Sequence, residues 1–85
     1  MKYRARVAVY PKPEVTDPEG ASVKSYLRDR GYAWVEEVRC GKFWEITVEA
    51  TSRIEARERV EKVCLDPLAN LVKDNYDILG LEEIE

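Results

Sequence analysis

Residues 3 to 10, Tyr-Arg-Ala-Arg-Val-Ala-Val-Tyr, alternate in character until Pro11 and Pro13 interrupt them. No other stretch constrains the fold as tightly. A period of two puts Tyr3, Ala5, Val7 and Val9 on one face of a strand and Arg4, Arg6 and Ala8 on the other, the signature of a half-buried strand. Neither proline can donate to a ladder, and each holds its predecessor extended. The strand therefore ends there, and a loop runs to about Asp17.

Pro18 keeps Asp17 out of the helical region, yet the Asp17 carboxylate can accept from the free amides of a helix that has Pro18 at its first position. The helix spans about residues 18 to 30, with Val23, Tyr26 and Leu27 as its apolar stripe. Arg28 and Arg30 suit its negative end, and Gly31 can close it. Residues 33 to 40 and 43 to 50 read as two extended runs joined at Gly41-Lys42, a link that fits a tight hairpin or a bulged turn. In the second run Trp44, Ile46, Val48 and Ala50 share a face. Ser52 and Glu55 have capping-box spacing, and Ala56, Val60, Val63 and Cys64 recur at helical period to about Leu65. Asp66-Pro67 breaks that helix, Leu68-Ala69-Asn70 turns, and Val72 to Leu79 forms a last strand with Tyr76 and Ile78 on one side. The Glu-rich residues 80 to 85 are expected to fray.

The order is thus β-α-β-β-α-β, and the expected fold is α+β and ferredoxin-like: an antiparallel sheet with two helices on one face, self-associating. The other sheet face carries Arg, Glu, Thr and an aromatic residue, and an open face of that kind invites a partner. Eighty-five residues supply one core and no second, so residues 1–85 read as a single domain. With 45% hydrophobic residues and 36% charged, the chain has enough apolar material to fold.

Composition also excludes functions. A net charge of −3 disfavours a mainly electrostatic grip on nucleic acid or anionic lipid. The N-terminus is charged where a signal peptide needs an apolar core, and no run approaches the ~20 apolar residues of a membrane span, so a cytoplasmic protein is expected. There is no histidine, which removes Ser-His-Asp and Cys-His catalysis, histidine metal ligation and phosphohistidine. Cys40 and Cys64 form no close metal-ligand pair and read as free thiols, Cys64 on an apolar helical stripe and Cys40 at a strand end. Glu36-Glu37 and Glu82-Glu83 are adjacent on strands and point to opposite faces, so neither is an acid-base pair. Scattered glycines form no phosphate loop. Arg4, Arg6, Arg39 and Lys42 with nearby aromatics could serve an RNA-binding sheet, although the aromatic signature of such sheets is missing.

Several segments taken together resemble one family. They are Asp17-Pro18-Glu19-Gly20-Ala21-Ser22-Val23, then Leu27, Arg30-Gly31-Tyr32, Val38-Arg39-Cys40-Gly41-Lys42-Phe43 and Leu68-Ala69-Asn70. In order and spacing they are similar to the PurS family, the small subunit of phosphoribosylformylglycinamidine (FGAM) synthase. Leu71, where the family usually has proline, and the Glu-rich tail depart from its pattern. The resemblance implies a non-catalytic assembly subunit of a purine-biosynthesis ligase. It implies a homodimer or higher oligomer that bridges a large PurL-like synthetase and a PurQ-like glutaminase. The chain itself would hold no cofactor, with ATP and magnesium expected on the synthetase. The rival readings are a regulatory ferredoxin-like domain that binds a small molecule, and the RNA-binding sheet.

The family-motif positions, and so the candidate partner contacts, are Asp17, Gly20, Arg39, Gly41, Lys42 and Asn70. Asp17 and Gly20 have a structural explanation as cap and close-packing position, and Gly41 serves a turn. Lys42 has no local duty and is the better contact candidate. Asn70 is either a turn former or a partner-facing amide.

Overall fold

The alternating run folds as β1, Lys2–Pro11, the middle strand of a three-stranded antiparallel sheet. The computed structural model describes residues 1–85. On one side of β1 lies β2, Lys42–Glu49, and on the other β3, Asp74–Glu83. Tyr3, Ala5, Val7 and Val9 are all buried, as their period demands, and Arg4, Arg6 and Ala8 line the open face.

Across that core face runs α2, Arg53–Val63. Its start is a capping box in which Ser52 Oγ accepts from the Glu55 amide at 3.2 Å and Glu55 reaches back to the Thr51 amide at 3.1 Å. Ala56, Val60 and Cys64 drop from α2 and its continuation onto β1 and complete the core with Ala50, Ala69 and Leu81. Two arginines on α2 fasten it across the sheet, Arg59 donating to the Glu49 carbonyl of β2 and Arg53 to the Leu81 carbonyl of β3. Beyond Val63 the chain makes one wider helical turn, Cys64–Leu68, interrupted where Asp66 adopts an extended conformation.

The α+β class, the antiparallel sheet and the two helices follow the sequence reading. The details of four segments differ from it. Residues 33 to 40 form no ladder within the chain, and Val35 and Cys40 use their amides on the Tyr32 carbonyl and the Asp17 carboxylate instead. Gly41-Lys42 is therefore not a hairpin turn; Lys42 already belongs to β2, opposite Val9. The first helix, α1 (Pro18–Asp29), does not cover the sheet. Its stripe residues Val23 and Tyr26 are exposed, Tyr26 at 59%, and within one chain α2 alone caps the core face.

The acidic tail is ordered rather than frayed. Glu82 and Glu83 pair with Arg4 and Tyr3, and the Ile84 amide donates to the Lys2 carbonyl at 2.8 Å. A bulge explains why the sequence pattern hid this. Ile78 lies opposite Val7 and Gly80 opposite Arg6, leaving Leu79 unpaired and turned out to solvent. Alternation slips by one residue there, so Ile78 and Leu81 both reach the core face although three positions separate them.

With α1 held away from the sheet, the molecule is 51 Å long and its radius of gyration is 16.4 Å, against about 12 Å for a compact domain of this length. Its accessible surface of 6099 Å² exceeds the roughly 5,200 Å² of a compact monomer of equal mass. The surplus, about 900 Å², matches one partner's share of a standard protein interface. The residues from 18 to 41 thus form an arm, α1 going out and a segment without regular structure returning.

Candidate functional site

Five of the six positions singled out in the sequence meet at the base of this arm. Asp17 caps α1, with Oδ1 accepting from the Gly20 amide at 3.0 Å and Oδ2 from the Cys40 amide at 2.6 Å. One carboxylate therefore joins the start of the outgoing helix to the end of the returning segment. Those two amides, helped by the Arg39 charge, hold the Asp17 carboxyl below its ordinary range. It is a fixed anion at neutral pH, not an acid poised to exchange protons.

Arg39 works on the neighbouring loop. Its Nη2 donates to the Lys12 carbonyl at 3.0 Å and the Val15 carbonyl at 2.9 Å, tying the loop after β1 to the returning segment. Gly20 allows the two segments to cross, because a Cβ there would collide with the Val38 carbonyl oxygen and the Asp17 carboxylate. Gly41 is needed for a similar reason, a Cβ lying 2.7 Å from the Val9 carbonyl oxygen. Both glycines are thus explained by close backbone approach.

Cys40 donates its thiol hydrogen to Glu19 Oε2 at 3.2 Å, and that carboxylate raises the thiol's pKa. Burial pushes the Cys64 thiol up as well. Neither is a ready thiolate, so neither is an activated nucleophile. Beside these groups a cleft of about 350 Å³ is rimmed by Lys42 and Lys73, with Asp17, Glu19 and Asp74 in its wall. The carboxylates are all engaged internally, Asp74 accepting from the Asn70 amide at 3.0 Å, whereas the two ammonium groups make no ion pair.

Asn70 stands apart and builds a turn. Its Oδ1 accepts from the Val72 amide at 3.1 Å, and its carbonyl accepts from Lys73 and Asp74. The basic cluster considered for RNA does not assemble. Arg4 and Arg6 pair with Glu45 and Glu82 on the open sheet face at 3.4–3.8 Å, and Arg39 is committed to backbone carbonyls.

Phe43, 58% exposed and opposite Ala8, is the aromatic residue expected on the open sheet face. Sequence reasoning missed the other two exposed aromatics, Trp34 at 77% on the returning segment and Trp44 at 39% on β2. α1 covers neither of them, which no local pattern announces. Tyr32 and Trp34 pack edge to face with centroids 5.8 Å apart.

Fold and site together define an α+β module whose polar side chains, at the positions its motifs mark, hold its own backbone in an extended-arm shape. Comparison with known proteins gives that class a family. The sequence model of PurS, described as phosphoribosylformylglycinamidine (FGAM) synthase, matches residues 4–82. The PurS subunit of phosphoribosylformylglycinamidine synthase from Synechocystis sp. is 40% identical over 82 residues, spanning 94% of this chain and 82% of its own length. PurS from Thermus thermophilus superposes with a TM-score of 0.90 at 35% identity over 100% of both chains. A chain of the PurLQS structure from Thermotoga maritima superposes with a TM-score of 0.84 at 28% identity over 99% of each. The chain belongs to the PurS family of FGAM synthase subunits.

Proposed function

We propose that this chain is the non-catalytic assembly subunit of a cytoplasmic FGAM synthase, joining a PurL-like synthetase to a PurQ-like glutaminase as a homodimer. In this reading the synthetase uses ATP and magnesium to convert formylglycinamide ribonucleotide to its amidine, with ammonia taken from glutamine by the glutaminase. Family membership and the likeness to a chain of PurLQS support the role. No helix is long and apolar enough to cross a membrane, which fits a soluble assembly.

The single observation that carries the homodimer is the unpartnered arm. An 85-residue chain that leaves α1 off its sheet and exposes Tyr26, Trp34, Phe43 and Trp44 has an incomplete core by itself. Residues 33 to 40 belong to no ladder, and the outer edge of β2 lacks a neighbour. A second copy supplies both, its arm packing beside β2 while the first copy's arm does the same in return. This is the isologous exchange that gives two-fold dimers. It restores the four-stranded, two-helix sandwich that the order of elements implies.

Mixing the purified chain with its synthetase and glutaminase partners tests the role. One co-eluting species containing all three subunits is expected in the presence of glutamine and ATP-magnesium. Separate elution of this chain under those conditions overturns it.

A further inference from the structure

What holds the arm away from its own sheet is not packing, since α1 touches the body only at its base. The restraints are polar and few. Asp17 bridges the Gly20 and Cys40 amides, Arg39 grips the Lys12 and Val15 carbonyls, and the Cys40 thiol bonds Glu19. Pro11 and Pro13 stiffen the loop that Arg39 grips, with the Val15 amide closing a turn onto the Lys12 carbonyl at 2.9 Å. Farther out, Arg28 donates to the Val35 carbonyl at 2.6 Å, which ties the outgoing helix to the returning segment.

We propose that Asp17 and Arg39 are the positioning residues of a clamp that locks the arm open, stopping it from folding onto its own β2 and so directing it to a second copy. This rests on the arm-exchanged dimer above but makes a separate claim about its cause. Exchange and self-closure bury the same surfaces. What selects between them is the hinge. Two crossing segments stitched by a bidentate carboxylate and a two-carbonyl guanidinium cannot reverse direction without breaking charge-assisted hydrogen bonds. Preorganisation of the arm also removes the ordering cost that association would otherwise meet.

The test compares wild type with Asp17→Ala, Arg39→Ala and the conservative Asp17→Asn and Arg39→Lys by light scattering over a dilution series. Small-angle scattering and hydrogen exchange at the Gly20 and Cys40 amides accompany it. Far-UV circular dichroism establishes that each variant is folded; the sheet and α2 contain neither residue, and the conservative pair covers the case in which an alanine variant fails. The clamp predicts a dimer dissociation constant raised roughly tenfold or more in the alanine variants. The monomers that appear should have a radius of gyration moving from 16.4 Å toward about 12 Å, and the two amides should lose protection. Arg39→Lys, which keeps the charge but not the two-carbonyl grip, should fall between. Folded variants whose dissociation constants and amide protection stay within twofold of wild type overturn the clamp. A monomeric wild type overturns the exchanged dimer, and the clamp then stands or falls on whether the variants' monomers contract.

Discussion

At the residue scale, a carboxylate and a guanidinium do here what a hydrophobic contact does elsewhere. Asp17 and Glu55 are both held below their ordinary values, Asp17 by the Gly20 and Cys40 amides with Arg39 nearby, Glu55 by the Thr51 amide and hydroxyl with Arg59 nearby. A depressed folded pKa means that the unfolded chain binds protons first on acidification. The stability these groups contribute is complete above the ordinary values of 3.8 and 4.5 and is lost as pH falls through the lower folded values. Urea midpoints measured from pH 6 downward should therefore decline, and Asp17→Asn should flatten the decline; an unchanged slope contradicts the assignment. The core is small enough that one truncation tells. Val60 is fully buried among β1 residues, and Val60→Ala should cost about 2 kcal/mol. That corresponds to a thermal midpoint lowered by roughly 10 °C; a shift under 2 °C or so would mean that α2 is not seated on β1 as described.

At the element scale, what was legible in the sequence depended on whether a segment's signal is local and its partners lie within the chain. β1, with its alternating face and flanking prolines, and the capped starts of α1 and α2 met that condition, and their boundaries could be read within a residue or two. The run from 33 to 40 did not, because Ala-Trp-Val-Glu-Glu-Val-Arg-Cys has strand-like residues but forms no ladder within the chain. The end of β3 was hidden by the bulge at Leu79, which breaks the period of two just where the charge rises. That ordering is directly testable. The Ile84 amide, bonded to the Lys2 carbonyl, should exchange slowly in native-state hydrogen exchange, where a frayed tail would exchange at a free-peptide rate. Truncation after Gly80 should destabilise the sheet, since it removes buried Leu81 and the Glu82 partner of Arg4 and Arg6. Unaltered stability would place the tail outside the sheet.

At the scale of the whole molecule, the candidate site was legible as a set of positions but not as a place. Asp17, Gly20, Arg39, Gly41 and Lys42 were marked by motif, yet their convergence at the base of an arm depends on α1 leaving the sheet. That departure is a long-range property of the fold, which local spacing does not encode. The excess of surface and length over a compact monomer is what the proposed homodimer would bury. Light scattering in dilute buffer should accordingly give a mass about twice 9.9 kDa, and a monomeric mass at micromolar concentration would contradict the exchanged arm. The central claim is that the chain contributes assembly and no chemistry. Omission decides it most directly, by measuring FGAM formation from the PurL-like and PurQ-like subunits with this chain present or withheld, supplying nitrogen first as glutamine and then as free ammonia. The predicted result is a glutamine-supported rate that collapses without the chain and an ammonia-supported rate that persists. A glutamine-supported rate unchanged by its omission, or an ammonia-supported rate that vanishes with it, would contradict the claim.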